Sequence, residues 1–217
     1  MENEKLINQI AQQPPNEAFS RLASDERVKK TAEALTANGM EAFIVENGAE
    51  AKAKLFELIP EGAEVFTATS RTLDTLDVAD EIAKRYNSVR EKLAGMNPET
   101  QNREMVKLGA TPQYMVGSVH AITEGGTVVI ASNTGSQLAG YAAAAAQVIW
   151  VVSTKKLVSD LDEAIKRIYE YTYPLEDQRL QKIYNGVHSN ISKMLFVHRE
   201  IMPNRTKVIL VKEDLGY

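Results

Sequence analysis

Ser132 is followed by Asn133, Thr134, Gly135, Ser136 and Gln137, a run of small hydroxyl and amide residues around one glycine. Residues 126–132 before it read as a strand, and residues 137–146 after it read as a small, apolar, buried helix. A strand-to-helix turn of this composition presents backbone N–H groups and the positive end of a helix dipole, which suit a phosphate or a carboxylate. No lysine follows the second glycine as it would in a P-loop, and Gly135 with Gly140 lacks the spacing of a dinucleotide fingerprint. The plain alternative is that Thr134 or Ser136 only caps the helix.

A second turn of the same kind is Thr69, Ser70 and Arg71, where Arg71 is the cation placed to pair with an anion in a bidentate way. Its alternative is an exposed arginine at a helix start. Glu124 sits in a glycine-flanked turn, as a base, a nucleophile or an ordinary hairpin residue. His120 lies two residues beyond Ser118, so on one strand the two would share a face; a core histidine is the competing reading. Asp74, Asp77 and Asp80 recur every third residue, which fits a solvated helix face better than a cation site. His188 and His198 lack a neighbouring ligand at metal-binding spacing, and no metal is expected.

The elements needed to position these residues alternate. Helical patterns over residues 4–12 and 17–38 precede a strand at 41–45, a helix at 49–59, a strand at 65–68 and a helix opening at Thr69. Residues 116–120 and 127–132 flank the Glu124 turn as a hairpin or a strand re-entry. The run 148–152 is apolar on both faces and belongs at the sheet centre. Ser159 can cap a helix over 160–171 that Pro174 ends, and a strand over 207–211 closes the chain. Such alternation predicts an α/β fold: an open, mostly parallel sheet with helices on both faces, preceded by N-terminal helices over 1–38 that belong to the same unit as residues 39–217. Ligands in such sheets collect outside the carboxyl ends of the strands, so Ser70, Arg71, the turn at 133–137 and Glu124 are expected around one crevice.

The totals narrow the function. With 25 Lys and Arg against 29 Asp and Glu, the formal net charge is −4, which disfavours a nucleic-acid track. No apolar run approaches the length of a membrane span, and residues 1–12 do not resemble a secretory signal, so a cytoplasmic address is expected. There are no cysteines, which excludes thiol nucleophiles and iron–sulfur ligation by this chain.

Several ordered motifs carry a family resemblance: Leu108-Gly-Ala, Val116-Gly-Ser-Val-His-Ala-Ile-Thr-Glu-Gly-Gly-Thr, Ala131-Ser-Asn-Thr-Gly-Ser-Gln-Leu, Val151-Val-Ser-Thr-Lys-Lys-Leu-Val and Val208-Ile-Leu-Val-Lys-Glu-Asp-Leu-Gly. Together with Ser70-Arg-Thr-Leu, this text resembles the LUD, or lactate utilization, domain family. The resemblance implies a fold like that of the ribose-phosphate isomerase and CoA-transferase group, and it adds Lys156, at the end of a strand, to the ligand-binding set. It implies a place in organic-acid metabolism beside iron–sulfur partner subunits. The acidic signature of the isomerases is absent. The expected ligand is a small anionic metabolite: an organic acid, a nucleotide or a CoA ester. Two other readings stay open, a CoA- or phosphate-dependent transferase or hydrolase using Glu124, and a non-catalytic regulatory or assembly subunit; a homo-oligomer is compatible with each.

Overall fold

In strand β7 (Gln147–Ser153), Val148, Trp150 and Val152 enter one hydrophobic cluster while Ile149 and Val151 enter another, so the strand is buried on both faces. That two-sided burial is what a continuous apolar run is expected to give in a parallel sheet. β7 is third in a six-stranded, all-parallel sheet of order β1 (Glu41–Val45), β10 (Thr206–Val211), β7, β4 (Tyr114–Gly117), β2 (Glu64–Thr67) and β3 (Asn87–Ser88). The computed structural model describes residues 13–217, and the helix expected over residues 4–12 lies outside them.

Four strands form a second sheet where a single sheet was expected: β8 (Leu157–Val158), β5 (Ala121–Thr123), β6 (Val128–Ser132) and β9 (Lys193–Val197), with β6 antiparallel to both its neighbours. This sheet and helix α1 (Asp25–Ala37) cover one face of the large sheet, through Ile122, Val128 and Ile130 and through Val28, Ala32 and Leu35. The other face is covered by α2 (Gly48–Glu57), α3 (Arg71–Thr75) and α4 (Val78–Arg85), through Leu55, Leu73, Val78 and Ile82. Helix α1 thus shares the central core.

Several elements differ from the sequence reading, each for a local reason. Residues 17–38 form a 3-10 turn (Glu17–Ser20) and then α1, because the Ser24 hydroxyl accepts from the Arg27 N–H at 3.3 Å and starts the helix there. The helix after Ser70 breaks at Asp77, which is left-handed at φ +50°, into α3 and α4. Residues 116–120 are not one strand, since β4 ends at Gly117 and β5 begins at Ala121. The helix expected over 137–146 shrinks to one π-helical turn (Gly140–Ala144) with Ala142, Ala143 and Ala144 exposed. Buried Arg205 takes the carbonyls of Gly140, Tyr141 and Ala145 at 2.6, 3.1 and 3.0 Å, the groups that a longer helix would have bonded.

Pro174 does not end its helix either. Asp160, not Ser159, caps α7 (Leu161–Arg167), which runs through a π-turn (Ile168–Thr172) into α8 (Tyr173–Ile183). Proline has no N–H for the carbonyl four residues back. That carbonyl, of Glu170, accepts instead from the Asn16 N–H at 2.8 Å.

Candidate functional site

The chain leaves the large sheet for the small one twice, after β4 through residues 118–120 and after β7 through the 3-10 turn Thr154–Lys156. Both crossings lie at the carboxyl ends of parallel strands, the edge where open α/β sheets gather ligands. A cavity of about 220 Å³ opens there. Adjacent strands each supply part of its wall: β2 leads to Ser70 and Arg71, β4 to Ser118 and His120, β7 to Lys156 and β10 to Tyr217. The second sheet adds Ser132, Asn133 and Gln137, and the π-turn and α8 add Thr172, Tyr173 and Glu176.

At the inner end is Lys156, which is 2% exposed. Among the described residues its amine bonds only hydroxyls, Thr72 Oγ1 at 3.0 Å and Ser118 Oγ at 3.1 Å. Beside it, fully buried Arg167 donates to the carbonyls of Lys155 and His120 at 3.3 and 2.6 Å and to Thr172 Oγ1 at 2.9 Å, leaving its Nη2 without a partner among the described residues. Among the described residues neither cation pairs with a carboxylate; Asp214 is taken by Lys155. An unpaired charge is costly to bury, and the costlier of two neighbours gives up its proton. Burial, then the Arg167 and Lys155 charges, hold the Lys156 amine well below the usual lysine range, while burial lowers Arg167 only to about 10. The pair is therefore a guanidinium beside an amine that gives up its proton more readily than an ordinary lysine does.

His120 is held neutral. Burial pushes it down to about 3, with Lys156 and Arg167 adding to the shift. Its Nδ1 accepts from the Ala131 N–H at 3.1 Å, so the neutral ring carries its proton on Nε2 and keeps that N–H as its donor.

Nearer the mouth, the Ser70 hydroxyl caps α3 by accepting from the Leu73 N–H at 3.4 Å, and half-exposed Arg71 pairs with Asp74 at 2.7 Å. The Tyr217 hydroxyl donates to Glu176, whose carboxylate is also held by both arms of Arg179 at 2.8 and 2.6 Å. Tyr217 is carried there by Gly216 at φ +60°, where a Cβ would fall 2.5 Å from the Thr72 nitrogen.

The 133–137 turn is more self-contained than a bare anion nest. The Ser132 and Thr134 hydroxyls accept from the Gly135 and Ser136 N–H groups at 2.9 and 3.3 Å, and Thr134 Oγ1 bonds Ser136 Oγ at 3.2 Å. Asn133 and Gln137 line the cavity, whereas Thr134, Gly135 and Ser136 do not. With only a short π-turn behind it, the helix dipole invoked for this turn is not available.

Ser70, Arg71, His120, Asn133, Gln137 and Lys156 thus share one cavity, although the 133–137 turn follows β6, an antiparallel strand of the mixed second sheet, and not a strand of the parallel one. Glu124 does not join them. Its carboxylate reaches α1 instead, Arg27 Nε at 2.7 Å and Lys30 Nζ at 2.7 Å, and these hold it below the usual carboxylate range. A hairpin between β5 and β6 turns Glu124 toward α1, which is why it misses the crevice. Arg167, Tyr217 and Glu176 went unnoticed in the sequence. Arg167 left a signal: a cation at the spacing of Ala164 and Tyr171 sits on the apolar stripe of α7.

Comparison with known families matches residues 28–211 to the LUD domain. No curated protein matches the chain. Among solved structures, a DUF162 family protein from Deinococcus radiodurans is similar with a TM-score of 0.55 at 11% identity, covering 88% of this chain and 99% of that one. At that identity the likeness speaks for the fold alone.

Proposed function

The chain belongs to the LUD domain family, and from that premise we propose that it is a LUD-type protein of organic-acid metabolism that binds a small carboxylate- or phosphate-bearing ligand in the crevice above Lys156. The observation that carries this reading is the pair of buried basic groups, Lys156 in the cavity wall and Arg167 behind it, that lack any carboxylate partner among the described residues. An arriving anion supplies the missing counter-charge and draws a proton onto Lys156. Arg71, Ser70, Asn133 and Gln137 are the groups that orient it from the mouth. A cavity of about 220 Å³ falls below the roughly 300–1,000 Å³ of pockets for drug-sized ligands. This favours the organic acid itself, or the small end of a larger ester, as the buried part. Glu124 has no place in this chemistry, since its carboxylate is committed to Arg27 and Lys30.

The test is a thermal-shift screen with lactate, pyruvate, glycolate, CoA esters, nucleotides and sugar phosphates. A ligand bound by the native state alone raises its apparent stability, by about 2.7 kcal/mol at a hundred times Kd. A shift given by one of these compounds and reduced in Arg71→Ala supports the reading. No shift with any of them refutes it.

A further inference from the structure

Lys156 is more than a counter-charge. It is a buried primary amine whose only partners among the described residues are two hydroxyls, it lines an open cavity, and a neutral imidazole shares that cavity. A solvated ammonium would answer an anion equally well at less cost, so the burial calls for a further use. A buried amine with no carboxylate partner among the described residues gives up its proton readily and is then a nucleophile, whose natural target is a carbonyl carbon.

We propose that Lys156 adds reversibly to the carbonyl of a small 2-oxo acid and holds it as an imine. This deepens the anion-site reading and rests on it, because the carboxylate of the oxo acid is the group that the crevice orients. The Lys156 nitrogen lone pair forms a bond to the carbonyl carbon, and the π pair of the carbonyl moves to its oxygen. His120, neutral and with Nε2–H as its donor, polarises that oxygen. One amine proton passes to the oxygen, with the Ser118 hydroxyl, 3.1 Å from Nζ, as the relay. The resulting carbinolamine takes up one proton from solvent, the C–O bond breaks, and one water leaves; amine, ketone and proton have become a protonated imine and water. The positive imine then lies against the ligand's own carboxylate, which compensates the charge.

Burial of Nζ under Thr72 and Ser118 sets the selectivity, because an ordinary surface lysine has only about 0.1% of its amine free near neutral pH. The experiment is reductive trapping of the full chain with pyruvate or glyoxylate and cyanoborohydride near pH 7.5, read by intact mass and peptide mapping. One adduct on Lys156, forming about a hundredfold faster than on surface lysines and absent from Lys156→Met, is the expected result. Lactate, which has no carbonyl, should give none. Ser118→Ala should slow trapping. Adducts spread over many lysines overturn the proposal, as does a thermal shift with pyruvate but no adduct on Lys156; the latter leaves the anion site standing. Absence of both shift and adduct overturns the two together.

Discussion

Replacing Lys156 by Met should change how stability depends on pH, with a sign and a size that follow from the surroundings of the amine. In the unfolded chain a lysine keeps its proton to about pH 10.4. In the folded chain burial and the neighbouring Arg167 and Lys155 charges strip that proton well below this value. Between the two values the unfolded state binds one more proton than the native state, so wild-type stability rises with pH, at about 1.4 kcal/mol per pH unit. Methionine keeps the length of the side chain and cannot titrate, so Lys156→Met lacks this slope. Its stability relative to wild type should therefore fall as the pH rises toward about 10.4, by about 1.4 kcal/mol for each pH unit between the two values. For a chain of this size that is about 3–6 °C per pH unit in the difference between the two melting temperatures. The assay is calorimetric melting of both proteins in matched buffers. Lys207, which burial also lowers, is present in both and cancels in the difference. His120, at about 3, titrates far outside the window. A difference that does not change with pH, or a wild type that gains on the variant as the pH falls, would mean a charged and paired lysine, and the reasoning would be wrong.

Arg71→Ala should weaken binding of a carboxylate by about 1.5 kcal/mol, the low end for a charged hydrogen bond, because Asp74 already shares the exposed guanidinium; calorimetric titration checks it, and an unchanged affinity removes Arg71 from the site. Glu124→Gln should leave ligand binding unchanged and cost about 1 kcal/mol of stability at pH 7. Because its carboxyl is held low by Lys30 and Arg27, that contribution is present above the unfolded pKa and fades as the pH falls through the folded one, which denaturant unfolding at pH 7 and pH 3 would detect. Gly135→Ala should cost about 1–2 kcal/mol, mainly for the left-handed backbone, since the Lys193 side chain that its Cβ would meet at 2.8 Å is able to move; an equally stable Ala variant would show that the positive φ is not required. Iron and zinc should be absent from the purified protein by elemental analysis, because the chain has no thiolate ligands and its three histidines lie at no ligand spacing.

Much of the large sheet was legible because β7 and β10 are apolar on both faces, a pattern that only a central parallel strand requires. The second sheet was harder to see. Its strand β9 carries exposed and half-buried residues with no clean alternation, and β8 is two residues long. Residues 137–146 misled for a different reason: their small apolar composition suits a buried helix, yet the carbonyls that would extend it are taken by Arg205, some 60 residues away in sequence. The residues lining the cavity showed the same division. Ser70, Asn133 and Gln137 announced themselves by local turn chemistry, and Lys156 through the family motif. Glu124 was misplaced because Arg27 and Lys30, one turn apart on a distant helix, claim its carboxylate. Tyr217 and Glu176 reach the crevice only through the tertiary path of the chain, which no local pattern encodes.

Proton exchange on binding tests the central claim most directly, since it asks whether an anion meets a neutral amine at the bottom of the crevice. Calorimetric titration of the acid that gives the largest thermal shift, repeated near pH 7.5 in buffers of different ionisation enthalpy, reports the protons taken up per ligand. Proton uptake in the wild type that is lost in Lys156→Met is the expected result. Binding without proton uptake, or uptake that survives the loss of Lys156, would contradict it.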